Sequence, residues 1–164
     1  MNFKFLKKNF YTYSLFIFCI FFLDRITKIY VIYLNEEYLG EQIFSSKFLN
    51  IYLIWNEGIA FGLLSFDKNN FYNFLTIFIF FIILVIFYLS LKSYGLKKYS
   101  LLMIFSGAIG NLFDRIYYKA VPDFIDFHVG NFHWFIFNVS DIFITTGVIL
   151  MIVLELISNK KERY

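Results

Sequence analysis

The chain has 164 residues, about one domain's worth, and carries 60% hydrophobic against 16% charged residues. That balance excludes an ordinary soluble protein, and with 25 Phe and a single Pro it fits a small helical membrane protein with few broken segments. A net charge of +3, with the basic residues in short clusters rather than a stripe, excludes nucleic acid as a partner.

In chain order, Lys4, Lys7 and Lys8 followed by the apolar run Leu15 to Leu23 have the outline of a secretory signal. No small-x-small cleavage site comes after it, and bulky Phe18 before Cys19 argues against a lipoprotein cleavage site. The expectation is an uncleaved first transmembrane helix over residues 11–34, interrupted by a charged turn at Asp24, Arg25 and Lys28. At roughly 1.5 Å per residue such a helix outreaches about 30 Å of hydrocarbon, so the charged turn is expected near the outer boundary. Cys19 is the only cysteine and sits in an apolar run, so it is read as inert.

Residues 35–70 form a connection too long for a mere hairpin. Phe48 to Trp55 has strand-like composition, and Gly58 and Gly62 punctuate the segment after it. A small β-rich cradle on the outer leaflet is expected here, with Trp55 and the tyrosines at headgroup level. The second span, 71–91, is almost purely apolar. The third, 99–116, contains Ser106, Gly107, Ala108 and Gly110, small residues that let helix backbones approach closely. The fourth, 137–157, has Asp141 one turn inside its start.

Basic residues set the orientation. Lys4, Lys7 and Lys8, then Lys92, Lys97 and Lys98, then Lys160, Lys161 and Arg163 all fall on one side of a four-span arrangement, which places both termini in the cytoplasm. The fold expected is therefore an all-α integral membrane protein, a single domain over 1–164, with four transmembrane helices and a small extracytoplasmic cradle.

Charge inside such a chain needs a reason, because an ionisable group near hydrocarbon costs several kcal/mol. Asp24 and Lys28 are four apart and can neutralise each other on one helix face; simple tolerance of charge and a direct role are both open. Asn111, Asp114 and Arg115 share a face at the outer end of the third span. Asp114 and Arg115 are explained equally well as interfacial caps, whereas the deeper amide of Asn111 wants partners. Asn138 and Asp141 are three apart at the start of the fourth span, where an acidic side chain also suits the helix dipole. Asp123 follows Pro122 in a loop. If the outer ends approach, Asp123 and Asp141 face each other, and two carboxylates that close do not both ionise readily. One can then act as base towards a water and the other as acid, which hydrolyses a peptide bond without a metal or a nucleophilic side chain.

Competing chemistries have less support. His128, His133 and Asp126 lack a second pair of ligands at metal spacing, so no metal is expected. Asn56 to Gly62 lacks the lysine of a phosphate-binding loop, and no Ser–His or Cys–His arrangement stands out. A proton-coupled transporter or channel would spread its carboxylates through the membrane depth, whereas here, Glu155 aside, they gather at one edge. A non-catalytic assembly factor, with charges that only seat helices, is the third class.

Five blocks then become informative together: Leu23-Asp-Arg-Ile-Thr-Lys28, Asn56-Glu-Gly-Ile-Ala-Phe61, Gly107-Ala-Ile-Gly-Asn-Leu-Phe-Asp-Arg115, Val121-Pro-Asp-Phe-Ile-Asp-Phe127 and Phe137-Asn-Val-Ser-Asp141. In this order the chain resembles the lipoprotein signal peptidases, or signal peptidase II, a bacterial family of aspartic membrane endopeptidases. The resemblance implies four transmembrane helices with cytoplasmic termini in the bacterial inner membrane, and an active site at the extracytoplasmic face. It puts the catalytic dyad on Asp123 and Asp141 and the supporting polar positions on Asp24, Asn56, Asn111, Arg115 and Asn138; Lys28, Gly58 and Asp114, in the same blocks, are further candidates for support or substrate contact. The implied substrate is a diacylglyceryl-modified prolipoprotein, cut on the amino side of its lipidated cysteine by a monomer among membrane lipids, with no cofactor. Ser106 stands where the family usually has Gly, Ser140 where Ala is common, and Pro122 where Val is frequent. None of these departures removes a titrating group, although Pro122 stiffens the segment that presents Asp123.

Overall fold

The computed structural model describes residues 3–58 and 68–161. Four long helices and one small sheet make up the chain: α1 (Phe3–Glu37), α2 (Lys68–Lys92), α3 (Gly95–Tyr117) and α4 (Val139–Lys161), with β1 (Phe44–Ser45), β2 (Leu49–Asn56), β3 (Val121–Val129) and β4 (Phe132–His133). Arg163, Gly62 and the Ile59 to Phe61 part of the second sequence block lie outside the described residues. Among the described residues, Tyr72–Lys92 and Val139–Ser158 are long and apolar enough to cross a membrane by length and composition. The other two long helices carry Asp24, Arg25 and Lys28 (α1) and Asp114 (α3), all buried.

The expected break in the first helix is absent: α1 runs unbroken through the charged residues. The reason is periodicity. Ile20, Asp24, Lys28 and Val31 lie on one helix face and are all buried, so the charges extend an inward-facing apolar stripe instead of ending the helix. A chain with partners waiting across the interface has no need to unwind.

Helix α3 is central and packs on α1, α2 and α4. The small residues predicted to allow close approach do so. A Cβ on Gly107 would sit 2.5 Å from the Ser140 carbonyl oxygen, and one on Gly147 would sit 2.7 Å from that of Ser100. Seen from either helix, backbone meets backbone, which only residues without a side chain permit.

The strand expected near Phe48 to Trp55 is β2. The sheet is antiparallel in the order β1-β2-β3-β4. Its register pairs Ile51 with Ile125 and Ile54 with Asp123, so Tyr52 and Leu53 stand opposite Phe124 alone. This bulge bends the strand beside Asp123. Asp123 and Pro122 therefore lie in β3, not in a loop as the sequence suggested. The proline is tolerated because β4 pairs only with the far end of β3, at His128 and Val129, which leaves the Pro122 nitrogen without a ladder to complete on that side.

Candidate active site

The site is built on four charges buried between helices. Lys28 Nζ donates to Asp114 Oδ2 at 2.6 Å and Asn111 Oδ1 at 2.8 Å, and is ion-paired with Asp24 Oδ1 at 3.0 Å. Arg25 Nη2 donates to Asp24 Oδ2 at 2.8 Å and Asp114 Oδ2 at 2.7 Å, while Nη1 meets the other oxygen of Asp114. The Arg25 guanidinium also lies over the Phe113 ring, 4.9 Å from its centroid. Two cations and two anions leave the quartet neutral. Burying any one ion alone costs several kcal/mol, so the set is stable only when complete. Asp24 also accepts the Ser140 backbone N–H at 3.0 Å, and thereby anchors the start of α4 to α1.

From this base the network reaches two further carboxylates. Asn111, its oxygen held by Lys28, donates its amide to Asp141 Oδ1 at 2.8 Å. Asn138 caps α4 reciprocally with Asp141: its side-chain oxygen accepts the Asp141 N–H at 3.2 Å, and its own N–H donates to Asp141 Oδ2 at 3.1 Å. The same asparagine donates its amide to Asp123 Oδ1 at 2.6 Å. Asn56 donates to Asp123 Oδ2 at 2.8 Å and is itself oriented by the Gly58 N–H, 2.7 Å from its oxygen. One asparagine thus bridges a carboxylate on β3 and a carboxylate on α4.

Their environments differ. Asp123 is 4% exposed, whereas Asp141 keeps partial exposure. Burial pushes the Asp123 carboxyl up to about 6; the amides of Asn56 and Asn138 pull it down, and the nearby Asp141 charge pushes it up again. A carboxyl poised there holds its proton under mildly acidic conditions. Asp123 opens into a cleft of about 400 Å³ lined by Ile54, Trp55, Asn56, Glu57 and Ile136. Asp141 opens into a separate groove of about 220 Å³ between Trp134, Phe135, Phe137, Ile142 and two threonines. The pair is therefore approached from two sides, one of them aromatic.

Gly58 has φ +73, and a Cβ there would meet Arg115 Nη1 at 2.7 Å. The positive φ favours glycine here, and a side chain would also push the Arg115 guanidinium aside. Arg115 lies beside Tyr72, whose hydroxyl donates to the Arg115 carbonyl at 3.2 Å, and its Nη1 is buried with no hydrogen-bond partner among the described residues. The structure thus draws Asp24, Lys28, Asn111, Asp114, Asp123, Asn138 and Asp141, with Asn56, into one connected network, and sets Gly58 and Arg115 at its edge.

Asp114 is fully buried against two cations, so the interfacial-cap reading of that residue does not hold. The dipole reading of Asp141 holds alongside its contact with Asn111, since one side chain does both. Sequence reasoning missed Arg25, which completes the quartet. Its signal was the run Asp24-Arg25 three residues before Lys28, two cations against one acid where a tolerated pair needs only one. Asp126 is paired elsewhere, with His133 Nδ1 at 2.9 Å and the Asn50 amide at 3.1 Å, and belongs to the sheet.

Comparison with known proteins identifies the family. Residues 16–157 match the family described as Signal peptidase (SPase) II. The chain is 49% identical to a lipoprotein signal peptidase of Pelagibacter ubique over 155 residues, covering 94% of this chain and 93% of the relative. It is 38% identical to a lipoprotein signal peptidase of Francisella tularensis subsp. novicida, covering 82% and 87% of the two chains. A solved bacterial membrane enzyme superposes with a TM-score of 0.72 at 32% identity, over 88% of this chain and 92% of its own. Carried by five ordered sequence blocks, and matched along nearly its whole length, the chain belongs to the signal peptidase II family.

Proposed function

We propose that this protein is an aspartic membrane endopeptidase that removes the signal peptide from diacylglyceryl-modified prolipoproteins, with Asp123 and Asp141 as its catalytic dyad. The observation that carries the reading is Asn138, which hydrogen-bonds both carboxylates and so holds them at one place between β3 and α4. One carboxylate takes a proton from water as the water oxygen bonds to the scissile carbonyl carbon. The other gives its proton to the carbonyl oxygen. When the tetrahedral species collapses, the C–N bond breaks, the leaving amine takes the first proton, and the second returns to the carboxylate that gave it. No metal or cofactor enters this balance.

The architecture supports the choice of substrate. A lipidated cysteine and an apolar signal helix both favour the bilayer, so partitioning concentrates the scissile bond where the helices end and the sheet begins. The aromatic groove beside Asp141 is suited to apolar parts of such a substrate, and the cleft beside Asp123 to its peptide. Arg115, whose buried Nη1 has no hydrogen-bond partner among the described residues, is placed at the edge of the network to receive a substrate carbonyl. In this reading all four helices span a bacterial inner membrane, the termini lie in the cytoplasm, and the sheet rests on the outer leaflet.

The test is substrate discrimination. Purified full-length protein in detergent is expected to cut a diacylated prolipoprotein, giving a product whose first residue is the lipidated cysteine, and to leave the unlipidated precursor intact. Equal cleavage of both forms, or of neither, contradicts the reading.

A further inference from the structure

The network around the dyad is directional, and its direction bears on which aspartate does what. An asparagine amide is ambiguous by itself, since oxygen and nitrogen can exchange places. Asn111 is not ambiguous, because an ammonium has hydrogens to give and nothing to accept with. Lys28 Nζ lies 2.8 Å from Asn111 Oδ1, so the amide hydrogens must face Asp141 Oδ1, 2.8 Å away. The second oxygen of Asp141 faces the Asn138 backbone N–H at the start of α4, where the helix dipole also favours negative charge. Both Asp141 oxygens thus meet donors fixed by backbone or by a buried cation.

Asp123 also receives two amide donors, each with its own oxygen held by a backbone N–H, so the difference lies elsewhere: Asp123 is in a strand without a helix terminus and is the more deeply buried of the two. One of its donors, Asn56, is exposed at the end of β2. Burial raises the Asp123 carboxyl to about 6.

We infer that Lys28 is a positioning residue of the dyad: by holding the Asn111 oxygen it turns the Asn111 amide onto Asp141 and makes Asp141 the ionised partner. Asp141 then takes the proton from water and later delivers it to the leaving amine. Asp123 carries the proton that goes to the scissile carbonyl oxygen, and recovers it on collapse. Because the charged quartet is neutral as a whole, Lys28 acts chiefly by orienting Asn111 rather than as a bare charge. This division of roles rests on the proposed aspartic mechanism.

The test is the pH dependence of kcat/KM on a diacylated prolipoprotein, measured on detergent-solubilised full-length protein. The acidic limb reports the base becoming ionised, and the alkaline limb reports the acid losing its proton. Asn111→Leu keeps a branched side chain and all four charges of the quartet but removes both the donor to Asp141 and the acceptor of Lys28; Lys28→Met frees the amide of Asn111. The expected result for Asn111→Leu is an acidic limb moved to higher pH by about one unit, with the alkaline limb in place. Lys28→Met is expected to move the same limb in the same direction and, because it also removes a cation that holds the Asp123 carboxyl down, to raise the alkaline limb as well. If the alkaline limb of Asn111→Leu moves instead, Asp141 is the acid and the assignment is reversed. If neither limb moves and only the height of the profile falls, Lys28 and Asn111 are merely structural and the inference fails. Asn111→Leu decides the matter even where Lys28→Met yields no folded protein. Retained cleavage by Asp123→Asn or Asp141→Asn would instead refute the dyad itself, which separates that failure from failure of the role assignment.

Discussion

Asn138 shows how one side chain can serve the fold and the site together. As the residue before α4 it accepts the Asp141 N–H, an ordinary helix cap, and its amide is thereby left to donate to Asp123. The cap fixes the donor's direction, so the geometry of the pair follows from a local rule of helix formation. Ser140 is the opposite case. Its N–H is used by Asp24, but its hydroxyl oxygen is buried with no hydrogen-bond partner among the described residues, packed against Gly110. An unsatisfied buried hydroxyl costs stability, and Ala is common at this position in the family. Ser140→Ala is therefore expected to leave thermal stability in detergent unchanged or raise it by about 1 kcal/mol. A clear loss of stability would mean that the hydroxyl does something the network does not account for.

Elements bring these residues together by close approach. α3 meets α4 where Gly107 faces the Ser140 carbonyl, and there the neighbour is backbone, which cannot swing aside. Gly107→Ala should cost about 1–3 kcal/mol through overpacking and should lower cleavage as well, since α3 carries Asn111 away from Asp141 as it shifts. The check is a thermal unfolding curve and a rate on the same preparation; an unchanged melting temperature would show that the helices are not in contact there. Much at this scale was legible in the sequence: the four long helical segments, the strand near Trp55, and the small residues of α3 follow from composition and periodicity. The state of the charged turn in α1 was not. Asp24 and Lys28 read as a self-contained pair, but Lys28 also binds Asp114 and Asn111, some eighty residues away, as Arg25 binds Asp114. Local spacing cannot report a bond across that distance. Asp123 was misplaced for a related reason, because Pro122 signals a loop unless one knows that its edge of the strand is unpaired.

On the scale of the whole molecule, the helices run from a lysine-bearing end to an end where the sheet is attached. The two proposed catalytic carboxylates sit at that junction. Helix α1 contributes neither of them, yet its buried charges hold α3 and the start of α4 in register. In the proposed reaction, this arrangement sets two carboxylates and an apolar groove within reach of a bond that a lipid anchor would keep at the membrane. Everything in the proposed chemistry passes through that pair. The most direct test is therefore the rate at which Asp123→Asn and Asp141→Asn, each shown to insert and fold as the parent does, cleave a diacylated prolipoprotein. The account predicts a loss of about a thousandfold or more for either variant; cleavage by either at the parental rate would contradict it.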